Sequence, residues 1–244
     1  MRQRSVRRRP NVSPDLVVRI AMELLDAGGM EGVTFRAVAK KLGIQPPALY
    51  WHFVNKRDLL DDLAQAILIG GGVDAIQPPK NPSEWKGWLG QSANILRGAL
   101  IAHRDGGRIV AGASFGRAKA LAKFTGVSTK VLNDGGFGLV EASLATTTVV
   151  DYVWGFVIEE QEGRGPGPPS TGGERPERTT GLSEKLLGEK FGVELPLAKL
   201  IREAMLEMNK LSDAQLFDWG LQVILEGLVS AKKSGRRAAL GPAA

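Results

Sequence analysis

The chain of 244 residues contains no cysteine and only two histidines, His52 and His103. Without thiols there is no disulfide framework, no thiolate nucleophile and no cysteine-ligated metal, which fits a reducing, cytoplasmic compartment. Two histidines leave little for acid/base or metal chemistry. No phosphate-cradling glycine loop is found, which together with the scarce histidines argues against an enzyme. Long hydrophobic runs are missing as well. No window approaches the ~18 apolar residues of a membrane span, and the charged N-terminus has no apolar stretch behind it. Neither membrane insertion nor secretion is expected. A hydrophobic content of 43% with 24% charged residues is instead that of a globular chain with one large domain or two ordinary ones.

The net charge of +6 is unevenly placed. Residues 1–57 hold eleven Lys/Arg against four acids, whereas the other 187 residues hold twenty-one basic and twenty-two acidic ones. All the excess lies in the first quarter, and a polyanion is the natural partner of such a segment. Glycine and proline are clustered too. Ten of the twenty residues 162–181 are Gly or Pro, a composition that buries too little apolar surface to offset ordering, so a flexible loop is expected there.

Elsewhere apolar residues recur at helical spacing and no period-two stretch requires a sheet, so the fold class expected is all-α. Ser13 followed by Pro14 opens a first helix, with Leu16, Val17, Ile20, Ala21, Leu24 and Leu25 on one face and Gly28 and Gly29 stopping it. Asn81, Pro82 and Glu84 form a capping-box pattern ahead of a helix from Trp85 to about His103. Residues 139–160 are mainly β-branched and apolar, which leaves helix and strand formally open; their length favours a buried helix. Ser212, Asp213 and Gln215 start the last helix.

Residues 34–53, TFRAVAKKLGIQPPALYWHF, describe two short helices at an angle. Thr34 caps the first, which turns Phe35, Val38, Ala39 and Leu42 inward, and Gly43 ends it. Pro46 and Pro47 fit only the first turn of the second, which runs to about Trp51. A small residue at the crossing, a glycine in the turn and a short second helix are what a helix-turn-helix requires. Asn55 then caps a longer helix beginning with Lys56 and Arg57. LYWHF places four large rings in consecutive positions, more than one helix face can bury, so some of them face outward. Reading Tyr50 and Trp51 as core, or His52 as a metal ligand without a second ligand at helical spacing, is the blander alternative. The five arginines before Pro10 form an arm expected to add salt-dependent, sequence-independent affinity.

VTFRAVAKKLGIQPPALYWHFVNKRDLLDDLA resembles the DNA-binding domain of the tetracycline repressor (TetR) family, and HRDGGRIVAG and GFVIEEQE resemble stretches of that family's ligand and dimer domain. The resemblance implies an arm at 1–12, a three-helix DNA-binding domain at 13–60, a ligand-binding and dimerisation domain at 61–233 carrying the loop 162–181, and a tail at 234–244. It implies that Thr34 and Arg36 approach DNA from the supporting helix, that Gln45, Pro46, Pro47 and Ala48 face bases, and that Tyr50, Trp51, His52 and Lys56 hold phosphates. Arg36 suits a guanine edge, Pro47 and Ala48 a thymine methyl, and Lys56 a phosphate. Pro46 and Ala48 replace a glutamine and a threonine of the family pattern, so a different operator is expected.

In the sensor half the resemblance puts Val110 where the family has a magnesium-ligating histidine, and Gly72, Ser92 and Leu96 on drug-contacting positions. Ala113, Ser114 and Phe115 fall on neighbouring polar contacts. Glu159 persists and Asp151 replaces another histidine. Magnesium-tetracycline is therefore not the expected effector, and neither metal nor cofactor is. An effector pocket formed by Trp88, Ser92, Leu96, Val110, Phe115, Asp151 and Glu159, with Ile95 beside it, would suit a more apolar molecule; the alternative is that these residues fill the core. His103, Arg104 and Asp105 are expected to close a helix end by a local ion pair. The helices near 139–160 and 212–232 are apolar over more of their circumference than one neighbour covers, and a homodimer through them is expected. Gly70, Gly71 and Gly72 are expected to act as a hinge whose replacement by alanine weakens induction and spares operator affinity. The expected function is a ligand-responsive repressor on a double-stranded palindromic operator. The alternatives are a regulator without effector, or a small-molecule carrier or enzyme using the C-terminal cavity.

Overall fold

The computed structural model describes residues 12–163 and 194–234, and every regular element among them is helical. The elements are α1 (Pro14–Gly32), α2 (Phe35–Leu42), a 3-10 helix (Pro46–Trp51), α3 (Lys56–Gly70), α4 (Trp85–Ile101), α5 (Gly106–Ala111), α6 (Lys119–Asp134), α7 (Leu139–Gly163), α8 (Leu195–Met208) and α9 (Asp213–Lys233). Residues 1–11 of the arm, the tail beyond Ser234 and most of the expected loop lie outside the described residues, while Val12, assigned to the arm from sequence, packs against the core. Glu162 and Gly163, assigned to that loop from sequence, belong to the last turn of α7.

The helix starts are those the capping residues dictate. Ser13 Oγ accepts from the Leu16 amide, Thr34 Oγ1 from Ala37 and Asn55 Oδ1 from Asp58, each satisfying an amide that the helix leaves unpaired. Ser212 and Gln215 form a complete capping box, with the Gln215 amide donating to Ser212 Oγ and the Ser212 amide to Gln215 Oε1. The pair Gly28 and Gly29 interrupts the helix as the sequence reading expects: Gly29 takes φ 70° and ψ −176°, outside helical geometry, and α1 continues beyond this kink for one short turn to Gly32. One boundary differs from the sequence reading. The Asn81 pattern caps a 3-10 turn instead of α4, since Asn81 Oδ1 accepts from Ser83 and the α-helix proper starts at Trp85. A proline at the second position admits the tighter turn because it has no amide to place.

Val17, Ala21, Leu25, Val38, Ala39, Leu49, Phe53, Leu59 and Leu63 are fully buried and weld α1, α2, the 3-10 helix and α3 together. Burial of each leucine or phenylalanine contributes about 1.5–3 kcal/mol. α3 is shared between the halves. Its first turn completes the helix-turn-helix, and its remainder packs on α4, α5 and α6, so a boundary at residue 60 falls inside one continuous helix. In the second half α4 contacts α7 and α9, and α6 lies against α7. The β-branched run 146–150 is helical, as its length suggested, with Thr146, Val149 and Val150 turned into the core.

Candidate nucleic-acid interface and sensor core

Gly43 ends α2 in the left-handed conformation at φ 66°, and the Ile44 amide returns to the Ala39 carbonyl. This sharp stop throws the chain into the Pro46–Trp51 segment, the short second helix expected, which is of the 3-10 type. Consecutive prolines remove two amide donors, and the Ala48 and His52 amides close i→i+3 bonds on Gln45 and Leu49. The segment is anchored from beneath by Leu49 and Phe53, both fully buried. Its outer side carries Gln45 and Pro47, exposed, with Pro46 and Ala48 half-buried beside them. Gln45 makes no side-chain capping bond, so its amide group is available to a partner.

Of the four consecutive rings, Phe53 lies at the core, Tyr50 is 57% exposed and Trp51 89% exposed, while His52 is half-buried. Tyr50 is braced edge-on by Phe35, ring centroids 5.0 Å apart. Val54, 77% exposed beside Trp51, was missed from sequence because a lone valine carries no signal. Thr34 and Arg36 are exposed at the start of α2. The basic residues around the motif divide into two kinds. Lys41 pairs with Glu23 and Arg57 with Asp61, whereas Arg36 and Lys40 are exposed and carry no ion pair among the described residues. Lys56 is half-buried, its Nζ donating to the Met30 carbonyl at 3.2 Å.

The sensor half brings together only some of the residues expected to form a pocket. Ser92, Leu96 and Val110 are buried in one continuous core, and Gly107 of α5 sits so close to α7 that a Cβ there would stand 3.1 Å from Val157 and Ile158. Trp88 lines a shallow, mostly apolar cleft with Val73, Ile76, Lys123, Phe124 and Val127. Its indole N–H donates to the Gln77 carbonyl at 2.6 Å. Phe115, 56% exposed, and Asp151 and Glu159, both exposed on α7, stand outside this cleft. Within one subunit the seven residues therefore do not share a wall.

The buried acid of α7 is Glu160, not Glu159. Its carboxylate accepts two bonds from Arg97 Nη2, at 3.0 and 2.9 Å, with both side chains almost wholly buried. The Arg97 guanidinium lies over Phe217 at 5.0 Å and near Phe156 at 5.7 Å, while Tyr152 stacks on Phe217 and donates its hydroxyl to the Phe217 carbonyl. Burial raises the Tyr152 pKa, and the Arg97 charge pulls it the other way. A signal was present in the sequence, since Arg97 interrupts the apolar stripe Ala93, Leu96, Leu100. A second cluster ties α3 to the α5–α6 connection. Asp61 accepts from the Ser114 amide and hydroxyl, and Arg117 bonds Asp62, which raises the Arg117 pKa. The local ion pair expected around Asp105 is also corrected: His103 Nδ1 meets Asp26 of α1 at 3.0 Å, and Asp105 Oδ2 accepts from the Met30 amide.

An exposed helix-turn-helix with a basic rim, set on a larger helical half, defines the class of DNA-binding transcriptional regulators. Residues 17–63 match the family model for bacterial regulatory proteins of the tetR family, and residues 77–231 match that for the tetracyclin repressor-like C-terminal domain. The chain belongs to the TetR family of DNA-binding transcriptional repressors. It is 35% identical to the tetracycline repressor protein class A from transposon 1721 of Escherichia coli, over 91% of this chain and 92% of that one. Among solved structures it resembles a possible TetR family transcriptional regulator from Streptomyces coelicolor, with TM-score 0.72, 28% identity and coverage of 90% and 100%. It also resembles a variant of TetR from Acinetobacter baumannii in complex with minocycline, with TM-score 0.63, 27% identity and coverage of 91% and 99%.

Proposed function

We propose that the protein is a cytoplasmic homodimer that represses from a palindromic operator and is released by a small, rather apolar effector. In this reading residues 13–60 bind DNA and residues 61–233 bind the effector and a second subunit. The observation that carries it is the outer side of the Pro46–Trp51 turn, where Gln45, Pro47, Tyr50 and Trp51 are exposed above a fully buried Leu49 and Phe53. Pro46, Pro47 and Ala48 offer bases only apolar contact, so direct polar readout falls to Gln45 and Arg36, with Thr34, Tyr50, Trp51, His52 and Lys56 on sugar and phosphate.

A single such turn reads one half-site, and a two-fold pair reads two about 34–36 Å apart. Leu139, Val140 and Leu144 of α7 and Trp219 and Val223 of α9 are exposed in the single chain, which supports dimerisation through these helices. The relative bound to minocycline raises the question of a metal-chelated drug here. Val110 occupies the position implied for the metal-ligating histidine and is fully buried without a donor atom, and no cluster of His, Asp and Glu suited to a metal occurs among the described residues. The residues do not fit magnesium. The mostly apolar lining of the cleft at Trp88 suits an uncharged or weakly polar effector, but in this single chain the cleft has no room for one, so the reading requires it to widen, with Ser92, Leu96 and Val110 as the core behind it and Phe115, Asp151 and Glu159 meeting the second subunit. The tightness of that core favours a second reading, a regulator without effector. A thermal-shift screen against apolar small molecules separates the two, since a true ligand raises stability by mass action. Gel shifts on DNA flanking the protein's own gene test the repressor reading, and the lack of a salt-resistant, sequence-specific complex would refute it.

A further inference from the structure

The two halves meet at a second place besides α3. At the corner between α4 and α5, Asp105 has φ 56°, the only positive φ outside glycine among the described residues. That conformation is disfavoured for a residue with a Cβ and persists where something holds it. Its Oδ2 accepts from the Met30 amide at 2.8 Å across a part-buried contact. The facing residue is special as well. Gly29, at φ 70°, lies so close that a Cβ there would stand 2.5 Å from Asp105 Oδ2 and 3.0 Å from Arg104 Nε. The His103–Asp26 pair flanks the contact. Met30 is used a second time, because its carbonyl accepts from Lys56 Nζ at 3.2 Å.

We propose that Asp105 is a positioning residue for operator binding: it fixes the Met30 backbone, and the Met30 carbonyl aims Lys56 at a DNA phosphate. This rests on the reading of Lys56 as a phosphate contact. An ammonium has three donors, and one bond to Met30 leaves two for phosphate oxygens. A lysine already held by a carbonyl has less rotamer freedom to lose when it binds. Asp105 lies at the start of α5, which packs on α7, so the contact also gives the sensor half a grip on a DNA-binding side chain.

The test is a double-mutant cycle in operator affinity on the full-length dimer, using D105G, K56M and the double variant across a salt series. Thermal unfolding is recorded for each. Glycine takes the positive φ without strain, so D105G removes the carboxylate and spares the corner, and D105A, which also lacks an acceptor, replaces it in the cycle if the glycine variant does not fold. D105N, which tolerates this conformation and keeps an oxygen acceptor, is the rescue. D105G is expected to weaken binding by about 5-fold, the scale of one lost hydrogen bond, with no further loss in the K56M background and near-complete rescue by D105N. K56M itself should weaken binding and flatten the salt slope by about 0.9 per half-site. Equal losses from D105G in both backgrounds, or no loss at all, would overturn the proposal. Unchanged affinity and slope in K56M would overturn the phosphate reading of Lys56, and the proposal with it.

Discussion

Arg97 and Glu160 form a costly pair of side chains to disturb. Both are buried and bonded, and the guanidinium is sandwiched against Phe217 and Phe156. R97M would leave a buried carboxylate without its cation, a loss on the order of 3–5 kcal/mol. Urea unfolding should read it as a lower midpoint at unchanged slope. Trp51 is the opposite case. At 89% exposure it contributes little to the fold, so W51A should leave thermal unfolding nearly unchanged while weakening operator binding, whereas F53A, two residues on, should cost about 3–5 kcal/mol. Tyr152 carries the pH dependence. Its pKa is raised by burial, so the native state keeps the proton longer than the unfolded chain does. That contribution is complete below the unfolded value of about 10 and is lost as pH rises through the folded value. Denaturant unfolding above pH ~10 should therefore fall less steeply for Y152F than for wild type.

Among elements, the glycine run after α3 is the most informative. A Cβ on Gly71 would lie 2.2 Å from Ala99 Cβ and 2.7 Å from Ala99 Cα, while nothing approaches Gly70. Gly71 is thus the point where α3 bears on α4, and Gly72 turns the chain at φ 73°. G71A should lower stability by about 1–3 kcal/mol through overpacking. G70A should be neutral or slightly stabilising. Thermal unfolding of the two single variants separates a bearing surface from a free hinge. Replacing all three glycines would not spare operator affinity, because the change would displace α3 itself. Capped starts were legible in the sequence because Ser13, Thr34, Asn55 and Ser212 act within one turn of themselves. The 3-10 geometry of Pro46–Trp51 was half-legible, since the prolines forbid amide donors but do not choose between helix types. The partners of Lys56, Asp105 and Glu160 were not legible. Each is met 26 to 75 residues away in the chain, and periodicity says which face is buried but not which side chain waits there.

At the scale of the whole molecule, the exposed apolar residues of α7 and α9 bear on the proposed dimer. Placing a charge at Trp219 (W219D), 72% exposed in one subunit, should yield a folded monomer by sedimentation that loses most of its operator affinity. A second half-site acts at high effective concentration only when both are joined. The charge asymmetry has a whole-molecule reading too. Among the described residues of the basic first quarter, Lys41, Lys56 and Arg57 are held by acids or a carbonyl, so direct sequence readout is expected from the remaining side chains around the recognition turn and general affinity from the other basic residues. The central claim, that this turn reads a defined operator as part of a dimer, is tested most directly by anisotropy titrations of duplexes from the flank of the protein's own gene against scrambled duplexes of equal composition across a salt series. A palindromic duplex bound by one dimer, with a preference of ~10³-fold or more that survives added salt, is the result expected. Equal affinity for both duplexes, vanishing together as salt rises, would contradict it.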